Sequence, residues 1–183
     1  MYANAGFNAS EALTFFSGWY ASLAYSLQLY FDFSGYSDMA IGLAFLFNIR
    51  LPINFNSPYK ALDIQDFWRR WHMTLSGFLT KYVYIPLGGN RKGEARTYVN
   101  ILIIFLISGI WHGAGWTFVI WGALHGVASM IARMWKKTPY RLPKWLAWFI
   151  TFQFVNAAFV IFRATSMEQA MDVLRAMVGL NGI

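Results

Sequence analysis

YVNILIIFLISGIWHGAGWTFVIWGALHGVASMIARM, residues 98–134, decides the fold. Tyrosine apart, its ionisable side chains are His112, His125 and Arg133. Two apolar runs, 98–111 and 116–132, flank WHGAG, and each approaches the ~20 apolar residues that a helix needs to cross a hydrocarbon core. Two such runs joined by a glycine-containing turn read as a membrane hairpin. Ionisable groups at membrane depth are costly, so they mark substrate paths or reaction centres. His112, between Trp111 and Gly113, is therefore the first candidate catalytic residue. A neutral imidazole, with an ordinary pKa of about 6.5, can take a proton from a hydroxyl at neutral pH.

The glycines around it support close packing. Gly109 and Gly113 form one GxxxG frame and Gly122 and Gly126 another, and small residues at this spacing let helices approach closely. His125, inside the second frame, reads as a helix-contact histidine donating to a neighbouring carbonyl rather than as a catalyst. The three histidines stand 40 and 13 residues apart, which are not the short ligand spacings of a zinc motif. No metal is expected.

Composition agrees with a membrane chain. Of 183 residues, 57% are hydrophobic, 20% aromatic and only 13% charged, against about 25% charged in an ordinary soluble domain. With no cysteine, disulfides, thiolate metal sites and thioester-forming cysteines are excluded. The net charge is +7, and its basic residues gather in loops between apolar runs, which is a topology signal rather than a nucleic-acid footprint. The start, MYANAGFNAS, has no basic n-region and does not read as a cleavable signal.

Upstream, Leu13–Phe33 and Met39–Phe47 are apolar, and FDFSGYSDM lies between them. Asp32, Ser34, Gly35, Ser37 and Asp38 predict a break with capping residues on both sides. The second segment is short enough to be re-entrant. Asp32 and Asp38 do not by themselves imply acid/base pairing. Residues 48–63, with two prolines and three asparagines, predict a loop.

Residues 64–82 predict one amphipathic helix. Ile64, Phe67, Trp68, Trp71, Leu75, Phe78, Leu79 and Tyr82 fall in a single arc of roughly 120°. Arg69, Arg70, Thr74, Ser76, Thr80 and Lys81 fall outside it, and His72 stands at its edge. Asp63 is the expected N-cap, with Asp66 in a capping-box place. Aromatics on one face and cations on the other describe a helix lying in the membrane interface.

The turn Gly88–Gly93 is basic and glycine-rich but fails the P-loop pattern, because Glu94 and Ala95 follow. No Gly-x-Ser-x-Gly elbow or dinucleotide fingerprint occurs. The last apolar run is Trp145–Phe162, and the tail 163–183 is mildly helical. By the positive-inside rule the basic loops 81–96 and 133–144 are cytoplasmic. The hairpin would then carry His112 deep into the membrane or towards its far side.

The long stretch from YFDFSGYSDMAIGLAFLFNIRLPINFNSPYKALDIQDFWRRWHMTLSGFLTKYVYIPLGGNRKG to SGIWHGAGWTFVIWGALHG resembles the membrane-bound O-acyltransferase (MBOAT) family. YIPLGGNRKG is most similar to its bacterial alginate O-acetyltransferase branch. The D-alanyl transfer proteins of teichoic acid share the earlier stretches and form the alternative within the family. The resemblance implies an all-α, polytopic helical bundle in the bacterial inner membrane, with an interfacial helix, a hairpin and a tunnel. It implies transfer of an acetyl group from cytoplasmic acetyl-CoA to an extracytoplasmic, alginate-like polysaccharide, often through a periplasmic partner protein. The family's WHG histidine matches His112, and the FWRRWH histidine matches His72. Arg69, Arg70, Arg91 and Lys92 are the expected contacts for donor phosphates.

Family chains are typically more than twice this length, so residues 1–183 read as one region from the C-terminal portion of a longer protein. The rival from another class is a glycan-export component without chemistry. The hairpin argues against it, because it lacks the Asp/Glu relays usual in proton-coupled transporters.

Overall fold

The computed structural model describes Phe7 and residues 13–182; the rest of the MYANAGFNAS start lies outside the described residues. Among the described residues the chain is helical, with no strand. Seven α-helices follow one another: α1 (Phe15–Leu46), α2 (Ile64–Trp68), α3 (Met73–Leu79), α4 (Glu94–His112), α5 (Trp116–Trp135), α6 (Lys144–Arg163) and α7 (Met167–Met177). A 3₁₀ turn (Pro58–Lys60) precedes α2, and a π turn (Thr80–Tyr84) follows α3. The helices α4, α5 and α6 are each long and apolar enough to cross a membrane.

The predicted break at FDFSGYSDM does not occur. α1 is one helix of 32 residues, about 48 Å long at 1.5 Å per residue. No proline interrupts it, and the polar groups find partners compatible with a helix. Ser37 Oγ donates to Phe33 O at 2.9 Å, one turn back, while Asp32 and Asp38 point outward and are exposed. The helix stops at Asn48, which takes a left-handed φ of +56°, and Ile49 N–H returns to Ala44 O at 2.9 Å. Short polar residues tolerate that stop.

Residues 64–82 are not one helix either. Asp63 caps α2 as expected, accepting from Asp66 N at 2.9 Å. The chain then turns at His72, whose φ is +44°, a left-handed conformation costing ~1–2 kcal/mol outside glycine. An external strand of loop stabilises the turn: Asn56 N donates to Arg70 O at 2.9 Å and Met73 N to Asn54 O at 3.0 Å. Helical periodicity runs across the break, which hides it in the sequence. The apolar arc divides accordingly. Ile64, Phe67 and Trp71 are buried with Val155 and Phe159 of α6, whereas Phe78 and Tyr82 are 56% and 57% exposed. The first half of this segment is a wedge inside the bundle, not a surface helix.

Polar groups stitch α1 to α6. Ser26 Oγ donates to Asn156 Oδ1 at 2.6 Å, and Asn156 Nδ2 to Ser22 Oγ at 3.2 Å, all three residues being buried. The mild periodicity of the tail becomes α7, capped by Ser166, which accepts from Gln169 N at 3.1 Å. Its Ala170, Val173, Ala176 and Met177 are buried, and Trp19 Nε1 of α1 donates to Met177 O at 2.8 Å.

The α4–α5 hairpin is the closest helix pair. A Cβ on Gly109 would lie 2.3 Å from Phe118 O, and one on Gly122 would lie 2.4 Å from Phe105 O. One glycine of each GxxxG frame, Gly109 and Gly122, therefore faces the other, while Gly113 meets Phe118 and Gly126 meets Leu102 and Phe105.

Candidate functional site

His112 is the last residue of α4. The helix stops there because Gly113 is extended and Gly115 caps α5, with Phe118 N donating to Gly115 O at 3.1 Å. A Cβ at Gly113 would lie 2.4 Å from the Phe118 ring, so glycine is required for so tight a link. The His112 ring is half-buried in an aromatic collar: Trp111 at 4.9 Å, Phe162 at 5.1 Å and Trp121 at 5.3 Å between centroids, all edge-on. Among the described residues, no side-chain hydrogen bond occupies either ring nitrogen.

His72 comes from a different element and reaches the same place. Its ring is 4.8 Å from Phe33 of α1 and 6.5 Å from Trp111. Nδ1 lies 3.2 Å from Asn54 Oδ1. Burial, with the nearby His112, pushes its pKa down to about 4. Two histidines 40 residues apart in sequence thus both lie against one tryptophan, Trp111.

His125 is different. It is fully buried, and its Nδ1 accepts from Trp68 Nε1 at 3.2 Å. Trp121, Trp68 and Phe154 enclose it at 4.8, 5.1 and 5.2 Å. It packs between helices, as its sequence setting suggested, but it does not donate to a carbonyl: Nδ1 accepts, and buried Nε2 has no partner among the described residues. Among the described residues, no three metal-ligating side chains converge.

A cavity of about 310 Å³ opens between the α2–α3 segment and the hairpin. Neither His72 nor His112 lines it. Its α4 wall runs through Ile101, Ile104, Phe105 and Ser108, so it ends one helical turn before His112. Its other end is marked by Arg133, in the last turn of α5. There Glu94 accepts from Arg133 at 3.3 Å and also pairs with Lys137, which closes that end of the hairpin. Lys136 reaches across to Asp63 at 2.8 Å and to Gln65 at 2.9 Å. Ser129 Oγ and Arg133 Nε are buried atoms of residues in the cavity wall, with no hydrogen-bond partner among the described residues.

The four cations expected to meet donor phosphates do not converge. Arg69 lines the cavity, and its guanidinium is 3.6 Å from Asp66. Arg70 is committed to Asp66 at 3.0 Å and to Asn56 O at 3.3 Å. Arg91 and Lys92 stand on the exposed Gly88–Gly93 turn, which buried Asn100 holds by donating to Gly89 O at 2.9 Å. Two residues outside the expected site belong beside the histidines and the cavity, Asn54 unsignalled and Arg133 noted only as an ionisable group of the hairpin. Asn54 looked like one loop asparagine among three, and Arg133 looked like the start of a basic loop. The sequence signal for Asn54 was no more than its place near an apolar boundary.

Residues 7–169 match the membrane-bound O-acyltransferase family. The peptidoglycan O-acetyltransferase of Helicobacter pylori is 60% identical over 186 residues, covering 100% of this chain and 35% of that protein. The probable alginate O-acetylase AlgI of Azotobacter vinelandii is 48% identical, covering 87% of this chain and 32% of its own. The teichoic acid D-alanyltransferase of Bacillus subtilis is 35% identical over 75% of this chain and 39% of its own. The chain thus spans about a third of the length of these relatives.

Proposed function

The chain belongs to the membrane-bound O-acyltransferase family, a multi-pass membrane protein with three candidate spans, and from that premise we propose that the full protein transfers acetyl groups to an extracytoplasmic glycan across the bacterial inner membrane. The donor is acetyl-CoA, presented from the side of the two basic loops. The higher identity to the peptidoglycan enzyme than to the alginate enzyme favours peptidoglycan over alginate as acceptor. Delivery passes through a periplasmic acetyl-transfer partner or goes directly to the sugar.

The observation that carries this reading is His112: an imidazole set in an aromatic collar, with no protein partner on either nitrogen among the described residues, one turn beyond a cavity. In the proposed step His112 takes the proton of the attacking hydroxyl. The acyl carbon gains its bond to that oxygen and loses its bond to sulfur. The proton passes from His112 to the departing thiolate, which leaves the base as it began. His72 faces the same space as a second, neutral imidazole. The unpartnered Ser129 Oγ and Arg133 Nε suit the amides and phosphates of a thioester arm, and Arg69 stands with them.

The test uses membranes containing the full protein, acetyl-CoA labelled in its acetyl group, and peptidoglycan or alginate as acceptor. Base-labile label on the glycan, reduced about 10²–10⁴-fold by His112→Ala, is expected. No label on either glycan, or undiminished label with His112→Ala, contradicts the proposal.

A further inference from the structure

We propose that Asn54 is a positioning residue that sets the tautomer of His72, so that His72 presents an unprotonated Nε2 to the reaction centre. The inference rests on the acyl-transfer reading above.

It follows from donor and acceptor counting. A backbone N–H can only donate. Thr74 N meets the Asn54 side chain at 3.2 Å, so the atom it meets is the carbonyl oxygen Oδ1 and not the amide nitrogen. Thr74 Oγ1 donates to the same oxygen at 3.0 Å, and Asn54 Nδ2 points the other way, to Ser37 Oγ at 3.5 Å. The orientation of the amide is thereby fixed. The oxygen that faces His72 Nδ1 at 3.2 Å accepts and cannot donate, so Nδ1 carries the proton. A neutral imidazole has one proton on its ring nitrogens, and Nε2 is left with its lone pair.

The surroundings hold this arrangement. Asn54 O also accepts from Met73 N at 3.0 Å, so the main chain of the asparagine grips the residue after His72 while its side chain grips the ring. Phe33 packs against the ring at 4.8 Å and Trp111 lies at 6.5 Å. Ser37 belongs to the FDFSGYSDM stretch of α1, which gives that polar stretch a place in the chain of contacts. Burial holds the His72 pKa near 4, consistent with a ring that stays neutral and needs its tautomer chosen. A histidine whose other nitrogen is bonded to a fixed acceptor is a general way of choosing which nitrogen is basic.

The experiment is ¹⁵N NMR of the full chain, labelled at histidine and reconstituted in lipid bilayers, with the His72 signals identified by their loss in His72→Gln. In the unaltered protein Nδ1 is protonated and Nε2 is not. Asn54→Leu is expected to move His72 towards the Nε2–H tautomer and to lower kcat about tenfold or more, with little change in KM for the donor. Asn54→Asp keeps an acceptor in place and is expected to keep the Nδ1–H tautomer and most of kcat. The backbone bond from Met73 N survives both substitutions. An unchanged tautomer in Asn54→Leu overturns the proposal, as does an equal loss of kcat in both variants with the tautomer retained in Asn54→Asp. Full activity of His72→Gln would instead remove His72 from the reaction, leaving the tautomer result to decide for or against the role of Asn54.

Discussion

Replacing Gly109 by alanine tests whether the close α4–α5 contact is what places His112. The added Cβ would lie 2.3 Å from Phe118 O, against 3.4 Å for ordinary contact, so the two backbones must part locally by about 1.1 Å. The obstacle is main chain, which cannot rotate aside. Overpacking of this kind costs about 1–3 kcal/mol, and the upper end applies here. Alanine returns up to ~1 kcal/mol of helix propensity, leaving a net loss of about 2 kcal/mol. Gly77→Ala is the control: nothing lies within 4 Å of its new Cβ, so the same propensity term predicts a gain of ~0.5–1 kcal/mol. Unfolding free energies of the full chain in bicelles, with acetyl transfer measured in parallel, separate the two. Gly109→Ala should be the less stable by about 3 kcal/mol. It should also lose transfer, because His112 is one turn away and moves relative to Trp121 and Phe162. Equal stability and equal transfer in the two variants would mean that the α4–α5 contact does not place His112.

His125→Leu leaves the Trp68 indole N–H without its acceptor and should destabilise the chain by ~1–3 kcal/mol. Trp68→Phe, with its own loss, should not add fully to it in a double-mutant cycle of unfolding free energies. Asn156→Leu removes the acceptor of buried Ser26 and the donor to buried Ser22, with a loss of ~1–3 kcal/mol in the same assay. For His72 the folded pKa of about 4 lies below the ordinary value of about 6.5. Protonation therefore favours the unfolded chain: the contribution is complete above pH ~6.5 and is lost as pH falls towards 4. Thermal melting between pH 7 and 4.5 should show a fall in stability that is shallower in His72→Gln.

The apolar hairpin was legible in residues 98–134 because two opposed signals coincide there: apolar runs of spanning length and glycines at helix-contact spacing. Both depend only on local sequence. The place of His112 at the turn of the hairpin was legible for the same reason, as an ionisable group between the two apolar runs. The continuity of α1 was not. Asp32, Gly35, Ser37 and Asp38 look like a break, yet a serine can bond back to its own helix and aspartates can point outward. The turn at His72 was hidden for the opposite reason. Its apolar period is unbroken, and the bonds that bend the chain come from Asn54 and Asn56, in a loop the period says nothing about. The meeting of His72 and His112 at Trp111 is a tertiary fact, and so is the cavity, which takes its walls from four helices and the π turn. Arg70 shows the same limit: its charge suggested a ligand contact, and the structure adds partners in Asp66 and Asn56 O that no local pattern announced.

The most direct test of the account is the ester-linked acetyl content of cell-wall glycan. Cells with the unaltered full protein would be compared with cells carrying His112→Ala, at equal protein level in the membrane and with His125→Asn as a buried-histidine control. Loss of acetyl with His112→Ala, at unchanged glycan yield, is expected of a general base at His112. Acetyl at the unaltered level with His112→Ala would contradict it.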